Sequence, residues 1–412
     1  MAGFFASGGP LTLASHRRQD TGLVPKCGAC GLKQFCESPE MPVWGEGRRR
    51  VLLVGHSPDL TEDRQHRPFV GDDGRLLRKV LNRIDVDLDR DCWSTNALRC
   101  HPKTAKDIAR LPTAKEVEHC RPYLLRAVRE LQPDVIVLLG AEAVQSLIGW
   151  LWSEEVGPAD RWAGYRIPSQ KLNAWVCPAW HPSRMRLQEG KRDHDLVEKL
   201  FQEQLSAAFA LDGRPWNPVP EYHRQVKVVV DTSEAADHIR QMTENATVPL
   251  AWDLETNMLK PDGSDAAIWT CAISDGEVSI AYPWHGPAVT ATLDFLCSDV
   301  PKIAQNMKFE NRWAKAVCKV WVRNWAWDTM LAAHVLDNRA RTKGLGFQVF
   351  TRLGFDSWDQ KIAPYLKSSG GGNVSNRIRD CPLPDLLTYN GLDSLLEHKI
   401  AVLQAKELGV EL

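Results

Sequence analysis

Two kinds of hydrophobic pattern divide this chain. In the first half, apolar runs such as RVLLVG at 50–55 and DVIVLLG at 134–140 end in a glycine and lead into segments with helical apolar spacing. This alternation predicts a parallel sheet covered by helices, an α/β fold. The second half opens with strand-like runs and becomes mainly helical from about residue 309, which predicts a mixed sheet backed by helices.

A proline-rich segment separates the two patterns. Its sequence, LDGRPWNPVPEYHRQ at 211–225, contains three prolines, which interrupt any helix or strand period. We therefore predict a tail over 1–24, a first domain over 25–210, a linker over 211–225 and a second domain over 226–412.

Composition limits the function classes. The 412 residues are 43% hydrophobic and 25% charged, which is typical of a globular protein with two or three domains. The net charge is −1, divided into +3 for residues 1–220 and −4 for residues 221–412, so any nucleic-acid binding must be local. No apolar run reaches the length of a membrane span, and no basic segment precedes a signal-peptide core, so we expect a cytoplasmic protein.

The cysteines indicate a metal site more than a disulfide framework, because eleven is an odd number and no secretory signal is found. Cys27 and Cys30 form a CxxC, which is a redox pair, half of a metal site or a chance occurrence. Cys100 and Cys120 would complete four thiolates for zinc or for a [4Fe–4S] cluster, and the spacing does not choose between them.

The first half resembles the iron–sulfur uracil-DNA glycosylases of the family-four type. The resemblance covers roughly residues 25–205 and rests on ordered blocks that include CGACGLKQFC, VLLVGHSPDL, CWSTNALRCHP, HCRPYL and WHPSRM. It implies an α/β/α fold with a parallel sheet and a [4Fe–4S] cluster on Cys27, Cys30, Cys100 and Cys120. Cys36 matches a further cysteine of the family that is not a ligand.

The resemblance also implies a pocket for an extruded base. Phe69 would stack on uracil, and the Asn96 amide would read its O4/N3 edge. His181 would donate a hydrogen bond to O2 as negative charge develops there.

One motif of this pocket departs from the family pattern. The family usually has GEAPG, whereas this chain has GHSPD at 55–59, so a histidine replaces the usual acid. By position in this motif, Gly55 and His56 are predicted to line the base pocket. Slow glycosylase activity, altered base choice and DNA binding without cleavage all remain open. Asp59 is a nearby carboxylate without being an obvious equivalent.

In the second half, Asp253 and Glu255 end the apolar run VPLAWDLET. Residues two apart in a strand share a face, so both carboxylates should point the same way. Converging buried carboxylates are costly unless a cation neutralises them, which makes this pair a candidate metal site.

The second half is similar to DEDD-type 3′–5′ exonucleases with a tyrosine in the third motif, above all the proofreading domain of family A DNA polymerases. The similarity covers roughly residues 225–405 and implies a ribonuclease H-like fold with two Mg²⁺ or Mn²⁺ ions. It further rests on QNMKFE at 305–310, the WDTML block with Asp328, and Tyr389 four residues before Asp393.

The same resemblance implies the role of each residue. Asp253, Glu255 and Asp393 would hold one cation, Asp253 and Glu310 the other, and Tyr389 would orient the attacking water. Asp328 would have a supporting role. Glu310 replaces the usual aspartate, and its extra methylene is expected to reduce activity and to favour Mn²⁺.

The two resemblances together predict an enzyme that acts on DNA. Its substrate would be DNA that has a single-stranded or frayed 3′ end or contains uracil. The alternative is a DNA-binding accessory or proofreading subunit of a split family A polymerase, with degenerate modules and a separate polymerase chain as partner. We expect no polymerase domain in these residues. A compact fusion of this kind suits a bacteriophage or its bacterial host.

Overall fold

The computed structural model describes residues 24–104, 108–368 and 373–412. The chain divides into two compact units between Pro215 and Trp216, within the proline-rich segment. All but the last residue of the predicted tail lies outside the described residues. Among the described residues, no helix combines the length and the apolar character needed to cross a bilayer.

The first unit contains one five-stranded sheet. Its helices and strands are α1 Cys27–Cys30, β1 Val51–Gly55, α2 Leu60–Gln65, α3 Asp72–Asn82, α4 Leu88–Asp91, β2 Cys92–Asn96, α5 Ala114–Leu131, β3 Val135–Leu139, α6 Ala141–Leu151, β4 Ile167–Ser169, β5 Ala174–Ala179, α7 Ser183–Gln188 and α8 His194–Phe209. The strand order is β2-β1-β3-β5-β4. All neighbours are parallel except β4, which runs antiparallel to β5 at the edge.

Both faces of this sheet are buried. Val51 and Val135 belong to one core that includes apolar residues of α3 and α8. Leu52 and Ile136, which alternate with them and so face the other way, are also completely buried. The predicted α/β/α arrangement with a parallel sheet is therefore confirmed.

The second unit contains a six-stranded mixed sheet. Its helices and strands are β6 Val226–Val228, α9 Thr232–Glu244, β7 Leu250–Thr256, β8 Ile268–Ser274, β9 Ser279–Pro283, α10 Pro287–Cys297, β10 Lys302–Ala304, α11 Met307–Trp313, β11 Trp325–Asp328, α12 Thr329–Leu336, α13 Leu345–Leu353, α14 Ala363–Leu366 and α15 Leu383–Leu408. The strand order is β11-β10-β7-β8-β9-β6. Strands β7, β8 and β9 are antiparallel, whereas β10 is parallel to β7 and β11 to β10.

This order agrees with the predicted ribonuclease H-like fold. In that fold, the strand that carries the first acidic motif pairs with an antiparallel strand on one side and a parallel strand on the other. Strand β7 has that central place, between β8 and β10. The short strand β11 lies in a region where the pattern predicted mainly helix.

Helix α15 packs closely against this sheet. A Cβ atom on Gly391 would lie 2.4 Å from Val226 Cγ1 and 3.2 Å from Ala281 Cβ, so the absence of a side chain permits the approach. The close contact fixes the position of α15 against β6 and β9. The segment of α15 around Gly391 also lies beside β7, since the Asn390 side chain donates a hydrogen bond to Asp253.

Candidate functional site

The ends of neighbouring strands form a polar pocket in the first unit. Gly55 ends β1 and pairs in register with Asn96, which ends β2. A Cβ atom on Gly55 would lie 2.3 Å from Asn96 Oδ1 and 2.8 Å from Phe69 Cζ, so the amide and the ring both lie against this glycine. The Asn96 Nδ2 group is buried and has no hydrogen-bond partner. It is therefore a donor available to a ligand.

Two histidines that follow strands of this sheet lie beside each other. The ring centroids of His56, which follows β1, and His181, which follows β5, are 4.2 Å apart. The Ser183 backbone N–H donates to His181 Nδ1 at 3.2 Å, so in the neutral ring the proton lies on Nε2. Burial lowers the pKa of both rings, and for His181 the nearby His56 and Arg186 lower the pKa further. Both imidazoles are therefore neutral at pH 7.

Two carboxylates near the histidines, those of Asp73 and Asp59, have different hydrogen-bond partners. Asp73, in the first turn of α3, lies 3.9 Å from His181 Nδ1 and accepts a hydrogen bond from Arg186 Nε at 3.0 Å. Asp59 is committed elsewhere, because its side chain caps α2 by accepting from Glu62 N at 2.8 Å. Asp73 was missed by sequence reasoning, since nothing in the GDDG segment distinguishes it from an ordinary helix start.

The four predicted cysteine ligands surround one small cavity. Cys27 and Cys30 lie on α1, Cys100 follows β2, Cys120 lies on α5, and all four line the cavity. Cys36 is not among the lining residues.

Polar groups point at these sulfur atoms. The backbone N–H of Arg99 donates to Cys120 Sγ at 3.4 Å, and that of Glu40 donates to Cys100 Sγ at the same distance. Burial raises the pKa of the Cys120 thiol to about 12 and also raises the pKa of Cys100, so neither thiol ionises readily without a cation.

Four cysteine thiols around one cavity suit either a zinc ion or an iron–sulfur cluster.

In the second unit, three predicted acids converge. Asp253 and Glu255 lie on β7 and Asp393 on α15, and each offers a carboxylate oxygen within 4.8 Å of the other two. Trp358 Nε1 donates to Asp393 Oδ1 at 2.7 Å, and Asn390 Nδ2 donates to Asp253 Oδ2 at 2.7 Å. These two donors hold the carboxylates in fixed orientations.

Glu310, in the first turn of α11, is the fourth predicted acid. It is buried, and its Oε2 has no hydrogen-bond partner. The start of α11 is held by Asp328, whose side chain accepts from the backbone N–H groups of Asn306 and Met307. Asp328 also caps α12, so it has the supporting role that the sequence suggested.

Tyr389 lies one helical turn before Asp393 on α15, so the two side chains share a face of the helix. Burial and the charges of Asp393, Glu255 and Asp253 raise the pKa of Tyr389 well above the ordinary value, so the phenol keeps its proton. Its hydroxyl can therefore donate a hydrogen bond at this site.

Three residues of this site were missed by sequence reasoning. Asn390 follows Tyr389 directly, and Glu397 lies one turn after Asp393, so the helical spacing of α15 contained a signal for both. Trp358 comes from a loop between α13 and α14, and no sequence signal placed it near the carboxylates.

The electrostatics of the site are unfavourable without cations. Burial raises the pKa of Asp253 to about 7, and burial with neighbouring carboxylates raises the pKa of Glu255, Glu310, Asp393 and Glu397 well above the ordinary value. Divalent cations would stabilise the ionised forms, and an all-oxygen site suits Mg²⁺ or Mn²⁺.

Comparison with known proteins agrees with this division. Residues 42–204 match the uracil DNA glycosylase superfamily. The type-4 uracil-DNA glycosylase of Pyrobaculum aerophilum is 32% identical over 164 residues, which are 39% of this chain and 80% of that protein. The type-4 uracil-DNA glycosylase of Thermotoga maritima is 35% identical over 166 residues, 39% of this chain and 78% of that protein.

A longer similarity joins both units. The DNA polymerase of Bacillus phage SP01 is 24% identical over 371 residues, which are 83% of this chain and 37% of that protein. A match of this extent must include residues of the second unit.

Solved structures also resemble this chain at low similarity. The match to the Aedes aegypti Nibbler EXO domain covers 47% of this chain and 94% of that chain, with 14% identity and a TM-score of 0.34. The match to Escherichia coli RNase D covers 45% of this chain and 46% of that chain, with 12% identity and a TM-score of 0.32.

The raised carboxylate pKa values predict how stability depends on pH. In EDTA, the folded protein binds more protons at this site than the unfolded chain, so these acids should lower stability as pH rises from about 5 to about 8. We expect Mn²⁺ to reverse this effect, with a gain in Tm of more than about 5 °C at the higher pH.

Thermal unfolding with and without Mn²⁺ measures this dependence. The control is Asp253→Asn, which removes the central charge and should flatten the difference while leaving other titrating groups such as Glu62 unchanged. A metal-free protein that loses no more stability with pH than this variant would contradict the prediction.

Proposed function

This chain belongs to the uracil DNA glycosylase superfamily through residues 42–204, and we propose that it joins a base-excising pocket to a metal-dependent 3′–5′ exonuclease that acts on DNA. One observation carries the nuclease half of the proposal. Asp253, Glu255 and Asp393 converge at strand β7 of a ribonuclease H-like sheet, and Tyr389 lies one helical turn before Asp393.

The nuclease residues have separate tasks. Asp253, Glu255 and Asp393 would hold one divalent cation, and Asp253 with Glu310 would hold a second. When bound, such a pair of cations supplies a hydroxide nucleophile and stabilises the leaving 3′ oxygen. Tyr389 would orient the attacking water through its protonated hydroxyl, while Asn390 and Trp358 fix the carboxylates of Asp253 and Asp393.

We expect a 5′-labelled single-stranded oligonucleotide to shorten from its 3′ end in Mg²⁺ or Mn²⁺ and to stay intact in EDTA. Asp253→Asn keeps the size of the side chain but removes its charge, and should slow digestion by at least about 100-fold. The control is Asp299→Asn, whose carboxylate is 85% exposed. Digestion by the Asp253 variant at the native rate would exclude this catalytic assignment.

In the first unit, the groups of the pocket support a proposal that it recognises uracil. The buried and unpartnered Asn96 Nδ2 can donate to O4 while Oδ1 accepts from N3–H, and the Phe69 ring, which lies against Gly55, would stack on the base. His181 can donate from Nε2 to O2 as negative charge develops on the base. His56 can orient water only as a neutral imidazole, so we propose a slow reaction.

Glycosylase activity should give an alkali-dependent break at a single internal uracil in EDTA, where the nuclease is silent. We expect Asn96→Ala to reduce this break by at least about 100-fold, because the pocket loses both of its base-edge contacts. Asn82→Ala, at an exposed position on α3, is the control. If native protein gives no break at uracil, base excision is excluded.

A second candidate function is a module that binds an unusual base without excising it. The substitution of the family acid by His56 favours it, as does the commitment of Asp59 to a helix cap. In this case the protein would be a DNA-binding accessory or proofreading subunit that works with a separate polymerase. It predicts tighter binding to uracil-containing than to uracil-free DNA, with no alkali-dependent break.

We also propose a [4Fe–4S] cluster in the cysteine cavity. Cys27, Cys30, Cys100 and Cys120 would hold it, with the backbone N–H groups of Arg99 and Glu40 hydrogen-bonded to the sulfur ligands. The cluster would tie the loop that follows β2 to α1 and α5, which carry the other three cysteines.

Protein purified without oxygen should be brown and contain about four iron atoms per chain. We expect Cys100→Ser to lose the colour and the iron, since a buried thiolate ligand is removed. Cys36→Ser is the matched control, because Cys36 lies next to Cys100 but does not line the cavity. A colourless protein with one equivalent of zinc would contradict the cluster assignment.

A further inference from the structure

Three side chains that can bind a metal come together in the first unit. His56, Asp73 and His181 each offer one ligand atom, a ring nitrogen or a carboxylate oxygen, and these atoms lie within 4.8 Å of one another. His56 follows β1, Asp73 lies in the first turn of α3, and His181 lies in the loop after β5. The fold therefore brings together ligands that are distant in sequence, and neither resemblance assigned a metal to them.

Two hydrogen-bond acceptors face each other in this set. His181 Nδ1 lies 3.9 Å from Asp73 Oδ2. This nitrogen accepts from the backbone N–H of Ser183, so in the neutral ring it carries no proton, and the carboxylate that Arg186 binds can only accept. No hydrogen atom therefore joins the two. A cation between them would be attracted by both.

The separation of these two atoms suits one small cation. Zinc lies about 2.0–2.2 Å from an imidazole nitrogen or a carboxylate oxygen, so two such ligands of a tetrahedral ion are roughly 3.4 Å apart. The separation of His181 Nδ1 and Asp73 Oδ2 is 3.9 Å. A side-chain movement of about half an ångström would therefore bring both into contact with one ion.

Hydrogen bonds around the set would hold its ligands in place. Arg186 Nε donates to Asp73 Oδ1 at 3.0 Å, and its Nη2 makes only a longer contact of 3.5 Å with Oδ2, so Oδ2 is the less engaged oxygen. His56 Nδ1 lies 2.9 Å from Ser57 Oγ. With the proton on Nδ1, His56 donates to that hydroxyl and its Nε2 keeps a lone pair for a cation. Partners of this kind orient the ligands of metal sites.

The ligand types select the class of cation. Imidazole nitrogen suits zinc and similar transition metals, whereas Mg²⁺ prefers oxygen. Two histidines with one carboxylate also form zinc sites that leave a position open for water. Because burial lowers the pKa of both rings, no proton has to leave them at pH 7 before a cation binds.

We propose that His56, Asp73 and His181 form a binding site for a divalent transition-metal cation such as Zn²⁺. The site shares no residue with the cysteine cavity or with the carboxylates of the second unit. Binding through His181 Nδ1 would keep the proton on Nε2, the atom proposed to donate to uracil O2. A water molecule would occupy the open position on the cation, next to the histidine that replaces the family acid.

Equilibrium dialysis of the full chain against Zn²⁺, in excess Mg²⁺ to fill the carboxylate site, tests this proposal. Asp73→Asn keeps the shape of the side chain but removes its charge. We expect this variant to bind one Zn²⁺ at least about 100-fold more weakly than native protein, since even the partners of metal ligands contribute about 10–100-fold. Asp72→Asn, at the adjacent carboxylate, which is 66% exposed, is the matched control and should bind like native protein.

A second ligand variant makes the result independent of one substitution. His56→Gln should lose the same Zn²⁺ ion as Asp73→Asn. The cysteines are identical in all these proteins, so a difference in bound zinc reports this site alone. Zinc binding by both ligand variants at the native affinity would overturn the proposal. Failure of both variants to fold would also overturn it, because the residues would then be structural.

Thermal unfolding separates a ligand from a residue that only supports its neighbours. If Asp73 is a ligand, Zn²⁺ should raise the Tm of native protein more than that of Asp73→Asn. If Asp73 only holds Arg186 in place, the variant should lose stability equally with and without Zn²⁺. That second result overturns the proposal.

These measurements contain no DNA, so they distinguish the metal site from the proposed base excision. Native protein that breaks DNA at uracil but holds no zinc that depends on Asp73 and His56 would overturn the metal site alone. Zinc binding that is lost in both variants supports the site, even in a protein that gives no break at uracil.

Discussion

The burial of several carboxylates around Asp253 is the constraint on which the second unit depends. Acids that share an enclosed space repel one another, and each loses hydration, so the arrangement is stable only with protons or divalent cations. The fold nevertheless holds these groups firmly. Strand β7 fixes Asp253 and Glu255 on one face, Asp328 fixes the helix that carries Glu310, and the bare backbone of Gly391 lets α15 approach the sheet.

The pocket of the first unit is built from uncharged groups, whereas the site of the second unit is built from carboxylates. That pocket holds a buried amide donor, an aromatic ring and two neutral histidines, which suits the recognition of an uncharged base. The first motif departs from the family pattern just after β1, where His56 replaces an acid and Asp59 serves a helix cap. The chain thus combines a pocket of uncharged groups with a cluster of carboxylates, and its similarity to a phage DNA polymerase extends into both units.

Much of this could be predicted from the sequence, because the relevant signals are local or periodic. The glycine-ended apolar runs identified β1 and β3, strand alternation put Asp253 beside Glu255, and helical spacing put Tyr389 beside Asp393. Contacts between distant segments could not be predicted. Trp358 reaches Asp393 from a loop, and Asp73 reaches His181 from another element. Glu397 had the right spacing but resembled any polar residue of a long helix until its burial was known.

Anomalous X-ray scattering from crystals soaked in Mn²⁺ tests the central claim most directly, since it locates the ions without relying on activity. The account predicts two Mn²⁺ peaks among the carboxylates of the second unit, one near Asp253, Glu255 and Asp393 and one near Asp253 and Glu310. An absence of Mn²⁺ peaks at these carboxylates, at a pH where they bind no protons, would contradict it.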